Sequence, residues 1–224
     1  MNHAKVTPQA TRNSTTPAWL NIIAVVPALL LCVAVGLQPW IPADDLFRDP
    51  LAVAFDAAAK GECCHAYYGM LSLLSTLLWC AGASIALFTA TVLVSRRNAP
   101  VAAKFFLSVG VLTTLLMVDD AFQGHEFFYP LLFRLPESAT VGIYAAMLVT
   151  HLWFFRRHIL ALGPGLLVVS LLAFAVGVLT DLLATGGTVW ARLGEDGTKL
   201  IGISAWTAFH WRAAWAHVVT EQAS

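Results

Sequence analysis

The stretch Val118-Asp119-Asp120-Ala121-Phe122-Gln123-Gly124-His125-Glu126 sets three carboxylates and an imidazole at the end of an otherwise apolar run, Val101 to Val118. Oxygen groups at this density suit a hard divalent cation, and His125 would widen the choice to Zn or Fe-type ions. A carboxylate beside such an ion can activate water, the chemistry of a metal-dependent hydrolase. Asp119, Asp120 and Glu126 are then the candidate catalytic acids, and Asp119, Asp120, His125, Glu126 and Asp181 the candidate ligands of a divalent metal ion.

If the helix runs on to about Phe128 before Pro130 ends it, Asp119, Gln123 and Glu126 share one face, while Asp120 and His125 point elsewhere. Gly124 offers the alternative: a broken register would let His125 and Glu126 fold back over the helix end. A second acidic group, Glu195-Asp196-Gly197-Thr198-Lys199, opens a later apolar run, where acids favour the positive end of the helix dipole. Lys199 needs a partner at that depth, and Asp119, Glu126 and Lys199 are expected to approach one another. Further along the same run, His210 and His217 are seven apart and stack on one face with Thr207, a polar stripe suited to a proton relay or to an inner interfacial belt. Glu195, Asp196, Lys199 and His210 are therefore the candidate network or relay residues, and His151 is read as a packing residue.

The elements that must position these groups are apolar helices. The chain is 58% hydrophobic and only 12% charged, with a mean hydropathy of +0.73, whereas soluble domains carry about 25% charged residues. Crossing a bilayer core takes about 20 helical residues. Runs of that kind lie at about 19–37, 68–94, 102–122, 138–155, 159–183 and 198–219, so the expected fold is all-α: a polytopic membrane protein with six transmembrane helices in one domain, residues 18–220, behind a disordered cytoplasmic tail over residues 1–17. Lys5 and Arg12 ahead of Trp19 mimic a signal peptide, but no small-x-small cleavage site follows, so a retained anchor is expected. The outer loop from Gln38 to His65 holds an apolar-periodic stretch, Pro50 to Ala59, suited to a short surface helix.

Basic residues set the orientation. Lys5, Arg12, Arg96, Arg97, Lys104, Arg156, Arg157 and Arg212 fall on one side and every acid except Glu221 on the other, which places both termini in the cytoplasm and the acidic site in the periplasm. The formal net charge is zero, and no basic patch for nucleic acid is present. The expected partners are the lipid bilayer and a substrate that is a lipid or a small ion. Cys63 and Cys64, between Glu62 and His65, offer a small soft-metal motif or incidental thiols.

Val118 to Glu126, Leu135-Pro136-Glu137, Asp181, and Glu195 to Gly202 with Trp206 together resemble a bacterial family of multi-pass membrane proteins with DDxFxxHE and EDGxKxxGI-type motifs. The resemblance covers about half the chain, Phe105 to Trp211, and implies a shared site in a bacterial inner membrane without implying a reaction. There is a more distant similarity to the alkaline ceramidase and adiponectin receptor superfamily. The chain departs from that pattern, because Ser72 and Ser75 lack a His one turn later and His210 and His217 are not spaced H-x-x-x-H, so no zinc ligand is carried over.

Three function classes are left: a metal-dependent membrane hydrolase, a proton or cation pathway running from the outer acids past Lys199 to His210, and a structural or assembly factor in which charges lock helices together. The charge asymmetry carries a test of its own. A reporter fused after Ser224 is expected to work only in the cytoplasm, and activity confined to the periplasm would contradict the topology.

Overall fold

The computed structural model describes residues 18–96, 99–183 and 188–219. The tail expected over residues 1–17, Arg97 and Glu221 lie outside the described residues. Those described form ten α-helices and two five-residue π-helical turns, with no strand among them. Six helices run for 19 to 27 residues: α1 (Ala18–Leu37), α4 (Met70–Arg96), α5 (Pro100–Ala121), α7 (Glu137–Ala161), α8 (Gly165–Leu183) and α10 (Thr198–Val219). The short ones are α2 (Ala43–Phe47), α3 (Pro50–Ala59), α6 (Tyr129–Phe133) and α9 (Val189–Arg192).

Among the described residues, α4, α5 and α7 are long and apolar enough to cross a membrane. At 1.5 Å per residue the 27 residues of α4 span about 40 Å, more than the roughly 30 Å of a bilayer core. Their outer faces carry bare apolar side chains, such as Leu77 and Phe88 on α4 and Val149, Trp153 and Phe154 on α7. An apolar surface this broad suits lipid rather than water. By contrast α10 is less apolar, because it carries Lys199, His210, Arg212 and His217.

That polar helix is the one the others surround. α10 packs against α4, α8 and α1; α4 also packs against α5, and α5 against α7. Polar side chains on such a helix can face protein instead of lipid. Trp206 Nε1 donates to Thr113 Oγ1 of α5 at 3.1 Å, and Thr207 Oγ1 to the Leu78 carbonyl of α4 at 3.1 Å. Trp79, Phe105, Phe106, Trp206 and Phe209 fill the space between these helices.

Two helix ends depart from the sequence reading. The basic cluster Arg156-Arg157-His158, read as a boundary between spans, lies inside α7, which continues to Ala161. The turn comes at Gly163 (φ 74), where the Arg212 guanidinium donates to the Leu162 and Gly163 carbonyls and so satisfies the helix end. At the other end, α5 stops at Ala121, where the run 102–122 places it, and it is the conditional extension to about Phe128 that is absent: Gln123 takes a left-handed conformation (φ 49) before the π turn Gly124–Phe128. The stretch Pro50 to Ala59 is α3, with Pro50 at its first turn and Asp49 accepting from Leu51 N at 2.8 Å and Ala52 N at 3.1 Å. Cys63 and Cys64 are paired to each other rather than free.

Gly110 shows how closely α4 and α5 approach. A Cβ there would lie 2.7 Å from Leu87 Cδ2 and 3.2 Å from Leu87 N, whereas a Cβ at Gly142 of α7 meets nothing within 4 Å. Gly110→Val is expected to cost about 1–3 kcal/mol through overpacking, while Gly142→Val leaves the fold intact. Thermal unfolding in detergent checks this, and equal tolerance of the two changes would contradict the packing.

Candidate functional site

The two charged motifs share a local device. Residues Gly124–Phe128, within the first, and Leu193–Gly197, within the second, each form a single π-helical turn. Such turns are rare and recur at functional sites because they re-aim side chains. After the left-handed Gln123, the first turn carries His125 back over α5, so that its Nδ1 lies 2.5 Å from Asp119 Oδ2. The common face of Asp119, Gln123 and Glu126 is thereby lost, and the broken-register alternative describes the backbone.

Asp119 is buried, and its second oxygen is engaged too. Tyr144 OH of α7 donates to Asp119 Oδ1 at 3.2 Å, and the Tyr129 and Tyr144 hydroxyls are 3.4 Å apart. A Cβ on Gly124 would lie 2.5 Å from Asp119 Oδ1 and 2.9 Å from Tyr129. Only glycine fits between them.

The neighbouring carboxylate turns the other way. Asp120 Oδ1 accepts a hydrogen bond from Lys199 Nζ of α10, where proximity of Lys199 to Asp119 was expected. The reason is the one-residue offset: adjacent helical positions point about 100° apart, so only one of the two acids can face α10. Around the pair lies a small cleft, about large enough for one water molecule, lined by Phe47, Ser72, Ser75, Asp120, Asp196 and Lys199. Asp120 Oδ2 is buried with no hydrogen-bond partner.

A third group ties the outer loop to this cleft. Arg192 Nε donates to Asp44 Oδ1 of α2 at 2.6 Å and Nη1 to Glu195 Oε2 at 3.1 Å, with Asp196 Oδ2 at 3.7 Å. Glu195, one of the candidate network residues, thus serves an ion pair. Burial first, and then repulsion from Glu195 and Asp120, push the Asp196 carboxyl up to about 7, against the opposing pull of Lys199 and Arg192.

The expected site residues therefore divide. Asp119 and His125 form one group, and Asp120, Asp196 and Lys199 form another with Glu195 at its edge. Asp181 is exposed near the end of α8 and makes no ion pair or hydrogen bond among the described residues. The Glu126 side chain lies outside the described residues. Among those described, no group of three or more His, Cys, Asp or Glu side chains is placed to hold one metal ion. Each described acid of the first motif is instead turned to a cation, an imidazole or a phenol.

Sequence reasoning missed Tyr144, Phe47, the cleft-lining role of Ser72 and Ser75, and the Asp44–Arg192 link. A lone tyrosine seven residues into an apolar helix and two hydroxyls three apart were the available signals; nothing local pairs Asp44 with Arg192.

Residues 20–213 match the family described as Domain of unknown function (DUF8692). The chain belongs to that family. The match takes in both charged motifs and nearly all of α1 to α10. Neither a curated protein nor a solved structure matches the chain.

Raising the Asp196 pKa sets a sign. With a folded-state value near 7 and an ordinary value of 3.8, the folded protein holds a proton there that the unfolded chain has lost. Stability is therefore highest below about pH 4 as far as this group is concerned, and declines as pH rises towards and through 7. Asp196→Asn is expected to flatten that decline between about pH 5 and 8. Unfolding midpoints across that range check it, and an unchanged slope in the variant would contradict the assignment.

Proposed function

We propose that this is a multi-pass protein of the bacterial inner membrane, with α1, α4, α5, α7, α8 and α10 as its six spans and both termini cytoplasmic. Its periplasm-facing cleft between Asp120, Asp196 and Lys199 binds and releases a proton or a small cation, as one end of a pathway along α10 past Thr207 to His210.

The observation that carries this reading is the buried, unsatisfied Asp120 Oδ2 at a cleft of one-water size. An unpaired buried carboxylate oxygen is costly, and a proton, or a small cation that has shed most of its water, supplies what it lacks. A lipid headgroup does not fit there. Charge balance points the same way: Asp44, Asp120 and Glu195, with Asp196 ionising in addition as pH rises through about 7, set their carboxylates against two cations, Arg192 and Lys199. The excess is negative and attracts a positive ion. A proton arriving on Asp120 releases Lys199 towards Asp196, which couples the two acids.

The Asp119–His125 pair favours a second reading. A carboxylate that orients an imidazole is the usual support of a histidine metal ligand, and a divalent ion bound at His125, with Asp119 behind the ring, would make this end of α5 a hydrolase centre. Metal binding would then weaken as pH falls, because the ligands must be deprotonated.

Flux in liposomes under an imposed pH gradient or membrane potential tests the first reading. Purified wild type is expected to carry protons or a small cation, with Asp120→Asn and Lys199→Met lowering the rate by about tenfold or more, while Lys60→Met in the exposed outer loop leaves it unchanged. No flux in the wild type rejects the pathway. Stoichiometric metal lost in His125→Ala would put the hydrolase in its place.

A further inference from the structure

Four histidines meet at the end of the bundle opposite the acids. His151 and His158 are seven apart on α7, His210 and His217 seven apart on α10, and both helices run in the same direction across the fold. Equal spacing on two such helices makes two tiers, about 10 Å apart at 1.5 Å per residue. In the tier nearer the acids, His151 Nδ1 lies 3.0 Å from Ser108 Oγ of α5, and the fully buried His210 donates from Nδ1 to the Trp206 carbonyl at 2.8 Å. That bond fixes the His210 tautomer and leaves Nε2 as its basic nitrogen. In the other tier the rings of His158 and His217 stack, with centroids 5.2 Å apart and planes at 17°. His158 Nε2 is buried with no hydrogen-bond partner.

Phe105 of α5 belongs to both tiers. Its fully buried ring lies 5.2 Å from His151 and 6.0 Å from His210 on one side, and 4.9 Å from His158 on the other. Phe106 closes against His217 at 5.8 Å. A benzene ring offers no proton donor or acceptor, so it interrupts what would otherwise be a chain of imidazoles. The charged groups at this end, among the described residues, are Arg96 on α4, Lys104 on α5, Arg156 and Arg157 on α7 and Arg212 on α10. Arg96 donates to the Val218 carbonyl, Arg212 to those of Leu162 and Gly163, and Arg156 lies over the Trp153 ring. These cations make a second proton on either tier costly, and between His158 and His217 the short ring separation has the same effect.

We propose that these four histidines form an inner proton-binding site of two tiers, in which the stacked His158 and His217 share one proton, and that the Phe105 ring between that tier and the His151 and His210 tier is the barrier a proton crosses. The barrier role deepens the pathway reading above and rests on it; the shared-proton site stands on the histidine geometry alone.

Two measurements on the full chain in lipid test it. In a titration of 15N-histidine by NMR, His158→Gln is expected to move the midpoint of His217 by about half a pH unit or more, since the two share a proton. An unmoved midpoint overturns the shared site, whatever the flux. In liposomes under a pH gradient, Phe105→Leu, a smaller apolar plug that keeps the core filled, is expected to raise proton flux about tenfold, and His210→Gln to lower it by a similar factor. Flux unchanged in both variants of an active protein overturns the barrier. A wild type without flux also overturns it, while a coupled midpoint in that protein still supports the inner site, so failure of the pathway reading and failure of the shared site are told apart.

Discussion

The pairing of Lys199 with Asp120 is the constraint on which the rest of the arrangement depends. Lys199 sits on α10, the helix the bundle closes around, and Asp120 at the end of α5, with α4 packed against both. Asp120 cannot be left alone there, because its side chain is nearly buried and an unpaired buried carboxylate costs several kcal/mol. The pair therefore fixes how far α5 and α10 slide past each other. Once that register is set, Trp206 meets Thr113 and Thr207 meets the Leu78 carbonyl, so the aromatic core below follows from the ion pair above.

The end of the bundle that carries the acids then has to place the others without crowding them, and the π turns solve that problem. In an α-helix Asp119 and His125, six apart, would point to different sides; the left-handed Gln123 and the widened turn bring them together. In the second turn Glu195 and Asp196 both reach Arg192, which also holds Asp44 of the outer loop. One guanidinium, with several donors in a rigid fork, can serve three carboxylates where an ammonium would serve fewer well. The first outer loop is thus anchored by side-chain electrostatics as well as by burial of Leu46 and Phe47.

Much of this was legible from hydropathy and little of it from spacing. The six long helices fall on the six apolar runs, since a helix satisfies the backbone of an apolar run within itself and leaves its side chains free to pack. The surface helix Pro50–Ala59 was legible for a similar reason, with Asp49 and Pro50 marking its start. The end of α7 was not: Arg156, Arg157 and His158 look like a boundary, yet long basic side chains can lie along a helix and reach polar surroundings from it. The choice between Asp119 and Asp120 as partner of Lys199 was hidden too, because it turns on the rotation of α5 against α10, which adjacent acids in one helix do not reveal; the return of His125 to Asp119 was hidden by a positive φ at Gln123 that no residue type announces. The paired spacing of histidines on α7 and α10 was visible in the sequence, but only the α10 pair was read as a stripe, since nothing local says that two helices face each other.

What separates a working site from a structural lock is the cost it carries. A buried ion pair kept only to hold helices together can usually be exchanged for well-packed apolar side chains with no loss, or with a gain. A lock also has reason to satisfy every oxygen it buries. The Asp119 group meets that standard, with both of its oxygens engaged. The Asp120 group does not: Oδ2 is buried and unpartnered, Asp196 beside it is pushed up to about 7, and a cleft holds the two apart. Packing alone gives no return on an unsatisfied carboxylate oxygen at the register-setting contact of the bundle. On the reading proposed above a visiting proton or small cation does, because it would give the buried Asp120 oxygen the partner that the packing does not.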